Sequence, residues 1–383
     1  MRKFLDSIKP SFESGGRFHF LSSAFADLEA TLFVPNTVTA GGCHVRDAID
    51  LKRLMGVMVL ALLPSLLFGM WNVGLQHYLS VNREAGTWQL FAYGFRRVFP
   101  MLVVSYAVGL AAELLVAHLR RRRRSEGFMV SALLIVMIMP PDMPLWMLAL
   151  ATAFAVFGKE VFGGTGMNIF NPAILAQAFV FLSYPAYISG SEVWVAGLSE
   201  GAGVFAGFSG ATPLAQMAAG TFSFSDLEVG KLLWGATPGA IGETSLPTIL
   251  AGALLLAVTG VGSWRIMASV AAGGYLTGLL FNLLDAGACM SIPAHYHLMA
   301  GGFMFGAAFM ATDPVTAAQT NAGKGIYGFL IGAIAVAVFV LLPAHPAGIL
   351  PAILLMNVFA PLIDHCVVQS NVRRRLNRAK SKR

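Results

Sequence analysis

Charge is what this sequence has least of. Only 12% of its 383 residues are Asp, Glu, Lys or Arg, about half the share found in a soluble globular domain, while 56% are hydrophobic and the mean hydropathy is +0.70. So little charge excludes an ordinary water-soluble fold and marks a polytopic membrane protein. Cysteine is equally sparse. Cys43, Cys289 and Cys366 lie far apart, which excludes a disulfide ladder, a Cys-x-x-Cys metal site and iron–sulfur spacing; they read as small apolar packing residues. Residues 1–52 lack an apolar core behind a basic start, so they are expected to be a polar cytoplasmic arm and not a signal peptide. The net charge of +7 does not point to nucleic acid, because the basic residues cluster beside apolar runs, where the positive-inside rule puts them.

What is present is a series of apolar runs approaching the length a bilayer needs, about 20 residues. They lie at 54–73, 98–118, 128–141, 145–162, 169–189, 246–261, 264–284, 296–312, 325–343 and 347–368, about ten spans in all. Counted from a cytoplasmic start, Arg120 to Arg124, Arg373 to Arg383, Lys159, Arg265 and Lys324 all fall inside. The loop at 191–245 falls outside, with Lys231 as its one basic residue; Arg83, Arg96 and Arg97 fall outside against the trend. The chain is thus expected to comprise an arm (1–53), a first membrane half (54–190), an extracytoplasmic loop (191–245), a second membrane half (246–368) and a basic cytoplasmic tail (369–383).

Two runs are cut short by proline, which removes a donor and clashes with the preceding turn. The first meets Pro140-Pro141-Asp142-Met143-Pro144, the second Thr312-Asp313-Pro314. Broken helices are tolerated at membrane depth where they are buried in protein or line a cavity. The two also echo each other: Gly127 to Ala132 reads GFMVSA and Gly302 to Ala307 reads GFMFGA, with a looser echo of Asn171-Pro172-Ala173 in Asn357 to Pro361. A repeat of about 175–190 residues with five spans per half places the halves in opposite orientations. The expected fold is therefore all-α and polytopic, about ten transmembrane helices in two inverted five-helix repeats with broken helices.

Chemistry has few candidates. In the long loop, Ser209-Gly210-Ala211-Thr212-Pro213-Leu214 presents a hydroxyl between small residues, open to a partner's active site or able to carry a bulky group, although the same letters make an ordinary turn. Glu113, Asp313 and Asp364 are ionisable groups in or beside spans, and a hard cation takes such oxygen ligands. Glu113 and Asp364 are also placed to meet lipid headgroups at helix ends, and Asp313 to cap a helix. The loop Gly163 to Pro172 offers backbone amides and the side chains of Asn168 and Asn171 to a planar ligand or a phosphate. His295 and His297, two apart, do not share a helical face and read as interfacial residues, not metal ligands.

The combination Asp47 to Arg53 (DAIDLKR), Lys159 to Gly166 (KEVFGGTG), Asn168 to Ala173, Ser209 to Leu214 (SGATPL), Ser263 to Ile266 (SWRI), Ala311 to Val315 (ATDPV) and Ala360 to His365 (APLIDH) closely resembles the B-subunit family of sodium-translocating NADH:quinone oxidoreductases, over nearly the whole chain. The related D subunit of Rnf complexes shares the spans and the SGAT-type loop but looks to lack the arm. The resemblance implies a phosphoester of FMN on Thr212, within Ser209, Gly210 and Ala211, installed by a flavin transferase. Gly235 to Pro238 repeats GATP with Trp234 in place of Ser, so Thr237 is taken as a decoy. The resemblance further implies a noncovalent riboflavin, placed beside Asn168, Asn171 and the Asp313 turn. It also implies a part in ubiquinone binding at Gly109, where the family's following glycine is Leu110, and a part for Glu113, Asp313 and Asp364 in the path of Na⁺. The expected setting is a bacterial inner membrane, with both termini cytoplasmic and the Thr212 loop periplasmic, among the other membrane and flavoprotein subunits of a six-subunit-type complex. Without a nucleotide-binding fold or iron–sulfur ligands, the chain is not expected to oxidise NADH alone. The rival from another class is a non-redox channel of urea or ammonium type, which also uses inverted repeats but needs no flavinylated loop.

Overall fold

The computed structural model describes residues 7–12, 42, 51–120, 128–164, 166–189, 192–198, 208, 210–284, 287, 289–342 and 348–381. Most of the arm, Cys43 and Ser209 lie outside these. Among the described residues every regular element is helical. Besides a 3-10 turn (Lys9–Ser11) and a four-residue helical turn (Ala186–Ser189), the helices in chain order are α1 (Leu51–Ser80), α2 (Thr87–Arg120), α3 (Phe128–Ile138), α4 (Leu145–Val161), α5 (Pro172–Ser183), α6 (Pro213–Ala218), α7 (Asp226–Trp234), α8 (Leu246–Thr259), α9 (Trp264–Leu284), α10 (Ala294–Met299), α11 (Phe303–Phe305), α12 (Asn321–Leu341) and α13 (Ile349–Ser381). A π turn, Gly306–Met310, continues α11.

Five of them, α1, α2, α9, α12 and α13, are long and apolar enough to cross a membrane. The runs at 128–141, 169–189 and 246–261 fold as the shorter apolar helices α3, α5 and α8. Their ends follow local chemistry. α3 stops at Ile138 before Pro140, Asn171 caps α5 by accepting from Ala173 N at 3.0 Å, and Gly260 closes α8 at φ +73°. The run at 296–312 is broken by Gly301 and Gly302, at φ +63° and +68°, a backbone that costs a residue with a Cβ about 1–2 kcal/mol. The tail behaves differently from its composition: α13 continues unbroken through the basic residues to Ser381.

Long helices pack through missing side chains. A Cβ on Gly74 or Gly94 would collide with the backbone of Leu90 or Met70, fixing α1 against α2, and one on Gly273 or Gly332 would collide with Phe329 or Val270, fixing α9 against α12. Such close approach is how helices associate where lipid removes the hydrophobic incentive. At the centre lies α3, buried from Ala132 to Met139. A helix apolar all round belongs inside protein; here the surrounding helices supply that interior.

Candidate functional site

α3 and the α11 segment run antiparallel between two clefts. One is lined by Val130, Ser131 and Leu134 of α3 with Phe309 and Asp313. The other takes Gly301 and Gly302 at the opposite end of the α11 segment, and there Gly242 N donates to Met137 O near the end of α3 at 2.8 Å. Between the clefts, the rings of Phe305 and Phe309 are fully buried, 5.0 Å apart.

In the first cleft Lys159, Asn168, Asn171 and Asp313 meet, as expected for two broken-helix regions. Its empty space, open mouth included, comes to about 500 Å³. The Asp313 carboxylate accepts from Val315 N at 3.3 Å and Thr316 Oγ1 at 3.0 Å, so it holds its own turn as a cap does. Asn168 Nδ2 donates to Phe170 O at 3.0 Å. Lys159 also pairs with Glu113, and both are 3% exposed. Glu113 therefore does not meet headgroups; its ammonium partner, read from sequence only as an orientation signal, removes that option. Gly109, one turn before, faces Phe128: a Cβ there would fall inside the ring. Leu110 is half-buried.

Asp364 lies apart from this cleft. Its carboxylate accepts from Gln319 N at 2.7 Å, Thr320 N at 2.9 Å and Thr320 Oγ1 at 2.5 Å, which ties α13 to the start of α12. His297 corrects the interfacial reading: it is 4% exposed and packs edge-on to Phe339 at 5.4 Å, while His295 is exposed. The short helix α10 turns one inward and the other out. Among the described residues no group of three His, Cys, Asp or Glu side chains could hold a metal ion. Cys289 and Cys366 are free, half-buried and exposed respectively.

The second cleft centres on Thr212. Its extended backbone (φ −65°, ψ 154°) and Pro213 at the first helical position start α6, and Thr212 Oγ1 accepts from Ala215 N at 3.2 Å. Gln216 Nε2 reaches back to Ala211 O at 2.9 Å, so Ala211 and Thr212 are held from the helix side. The cleft holds about 580 Å³ of empty space, mouth included, and its wall includes Gln177, Trp194, Thr237, Glu243 and Gly302. Thr237, taken as a decoy, is a buried neighbour in the same wall, and its carbonyl accepts from Asn72 Nδ2 at 2.9 Å. Glu243, in the loop before α8, is not marked by any motif in the sequence. Enclosure by protein pushes its carboxyl up to about 8, because the charged form loses water without gaining a partner.

A profile of the NQR2, RnfD, RnfE family matches residues 38–373. The B subunit of the Na(+)-translocating NADH-quinone reductase from Azotobacter vinelandii is 41% identical over 99% of each chain. The protein of the same name from Chromohalobacter salexigens is 40% identical over 99% of this chain and 96% of its own, and that from Ectopseudomonas mendocina 40% over 99% of each. A match of this extent covers both clefts and all five long helices, and the chain belongs to the NQR2, RnfD, RnfE family.

Proposed function

We propose that the chain is the membrane-embedded B subunit of a sodium-pumping NADH:quinone oxidoreductase, with FMN esterified to Thr212 and riboflavin in the Asp313 cleft. The observation that carries this reading is the arrangement of two clefts at opposite ends of one interrupted segment, Gly302 to Asp313. The segment from Gly302 to Asp313 spans roughly 16 Å at helical rise. Bound flavins supply electron transfer, which the side chains cannot. The chain's own residues set distance and solvation. Thr212 offers its hydroxyl at the edge of its cleft; Asn168 and Asn171 place amide groups at the wall of the other; Phe305 and Phe309 exclude water between them.

In this reading ubiquinone is the final acceptor, with Gly109 and Leu110 at its site, and Na⁺ leaves the cytoplasm by a route that engages Glu113, Asp313 and Asp364. The antiparallel pair fits two inverted halves of five spans, the shorter helices completing about ten crossings. The Thr212 cleft then faces the periplasm and both termini the cytoplasm of a bacterial inner membrane. NADH is oxidised on another subunit of the complex, and a flavin transferase loads Thr212. The test is the intact mass and in-gel fluorescence of the denatured subunit coexpressed with that transferase. A mass increment of FMN less water, lost in Thr212→Ala, is expected; an unmodified native chain would return the pore reading to first place.

A further inference from the structure

Among its described residues the wall of the Thr212 cleft contains no Lys, Arg or His, yet it contains the Glu243 carboxylate. Glu243 is tightly seated: a Cβ on Gly302 would lie 2.5 Å from its Cδ and Oε2. Among the described residues no hydrogen bond or ion pair reaches this carboxylate. Glu243 is half-buried, and a carboxylate partly withdrawn from water without a partner is costly. A second group in the same wall is also unsatisfied. Gln177, on α5, is 5% exposed, and its Oε1 is buried with no hydrogen-bond partner among the described residues. A buried acceptor left unmade costs about 1–3 kcal/mol. Thr237 and Thr244 add hydroxyls to the wall.

We propose that the Thr212 cleft binds one alkali-metal cation, Na⁺ in the membrane, with the Glu243 carboxylate and the Gln177 side-chain carbonyl as protein ligands. The donor set selects the ion. Oxygen alone, with no imidazole or thiolate among the described wall residues, disfavours the softer transition metals. A single carboxylate balances a single positive charge, whereas calcium sites gather several carboxylates. The inference rests in part on the reading of Thr212 as the flavin ester. A phosphodiester there, outside the ion's protein ligands, adds negative charge to a wall with no basic side chain among its described residues, and like charges close together repel. A cation held by Glu243 lowers that repulsion.

The experiment is equilibrium binding of radiolabelled sodium to the purified complex in a potassium background, with sodium-minus-potassium infrared difference spectra. Glu243→Gln is expected to bind one sodium equivalent fewer than native and to lose carboxylate bands from the difference spectrum. Gln177→Leu, which replaces a side chain whose buried oxygen is unsatisfied with an apolar one of similar size, is expected to weaken that same site at least tenfold. It decides the matter if Glu243→Gln fails to assemble. Full binding in both variants, or a Glu243 carboxyl band unmoved by saturating sodium, overturns the proposal in favour of a protonated acid. Mass analysis of the same samples keeps the two readings apart. Absent FMN with Glu243-dependent binding removes the flavin reading alone; present FMN with unchanged binding removes the cation alone.

Discussion

The two clefts lie at opposite ends of one interrupted segment, Gly302 to Asp313, yet they treat an acidic side chain in opposite ways. Asp313 has its carboxylate satisfied by Val315 N and Thr316 Oγ1 and shares its wall with the Lys159 ammonium. Glu243 has neither a donor nor a basic neighbour among the described residues of its wall. The likeness of GFMVSA and GFMFGA in sequence therefore does not carry over to charge. At one end the protein itself supplies donors to the carboxylate, and the other is left for something that binds.

Three substitutions sharpen or break this contrast. The largest effect is expected from Lys159→Met, which leaves Glu113 buried without its ammonium. Removing one partner of a buried pair costs about 3–5 kcal/mol, so the thermal unfolding midpoint in detergent should fall steeply, and adding Glu113→Gln should recover most of the loss. A midpoint that hardly moves would mean the balanced cleft does not depend on its lysine.

Gly302→Ala comes next. It forces a Cβ into left-handed backbone and against the Glu243 carboxyl, an expected loss of about 1–3 kcal/mol. The fraction of chain flavinylated at Thr212, read by in-gel fluorescence, should fall with it. If both stay at native values, Glu243 swings freely and is not a fixed wall of the cleft.

Asp364→Asn should be mildest. It weakens the acceptor for Gln319, Thr320 and the Thr320 hydroxyl, a cap-like loss of about 1 kcal/mol, visible as faster hydrogen exchange of amides in the first turn of α12. A change in sodium affinity without faster exchange would show Asp364 to be an ion ligand instead of a clamp.

Much of this is legible in the sequence because it is written in breakers. Pro140, Pro314 and the Asn171–Pro172 start announce where helices cannot continue, and the GFM echo marks the two segments that lie antiparallel. The convergence of Asn168, Asn171 and Asp313 follows from that logic. Pairings across space are not legible. Lys159 and Glu113 are 46 positions apart, and nothing local says that a lysine near a glycine loop reaches a carboxylate on α2. Glu243 reads as a loop residue. Its one signal is isolation, as the sole acid between Glu228 and Asp285. His297 escapes the sequence because two-residue spacing does not reveal which ring a short helix turns inward.

The π turn at Gly306–Met310 closes with Ala311 N donating to Gly306 O at 2.8 Å, one residue more per turn than an α-helix. That extra residue sets the angular phase of everything after it. Each α-helical position advances about 100° around the axis, so a turn shortened by one residue would swing the Asp313 carboxylate about a quarter-circle out of its cleft while leaving Gly302 untouched. The two sites are thus indexed to each other like teeth on one shaft, and a single-residue deletion between Gly306 and Met310 would uncouple their alignment without altering any residue that lines the Thr212 cleft.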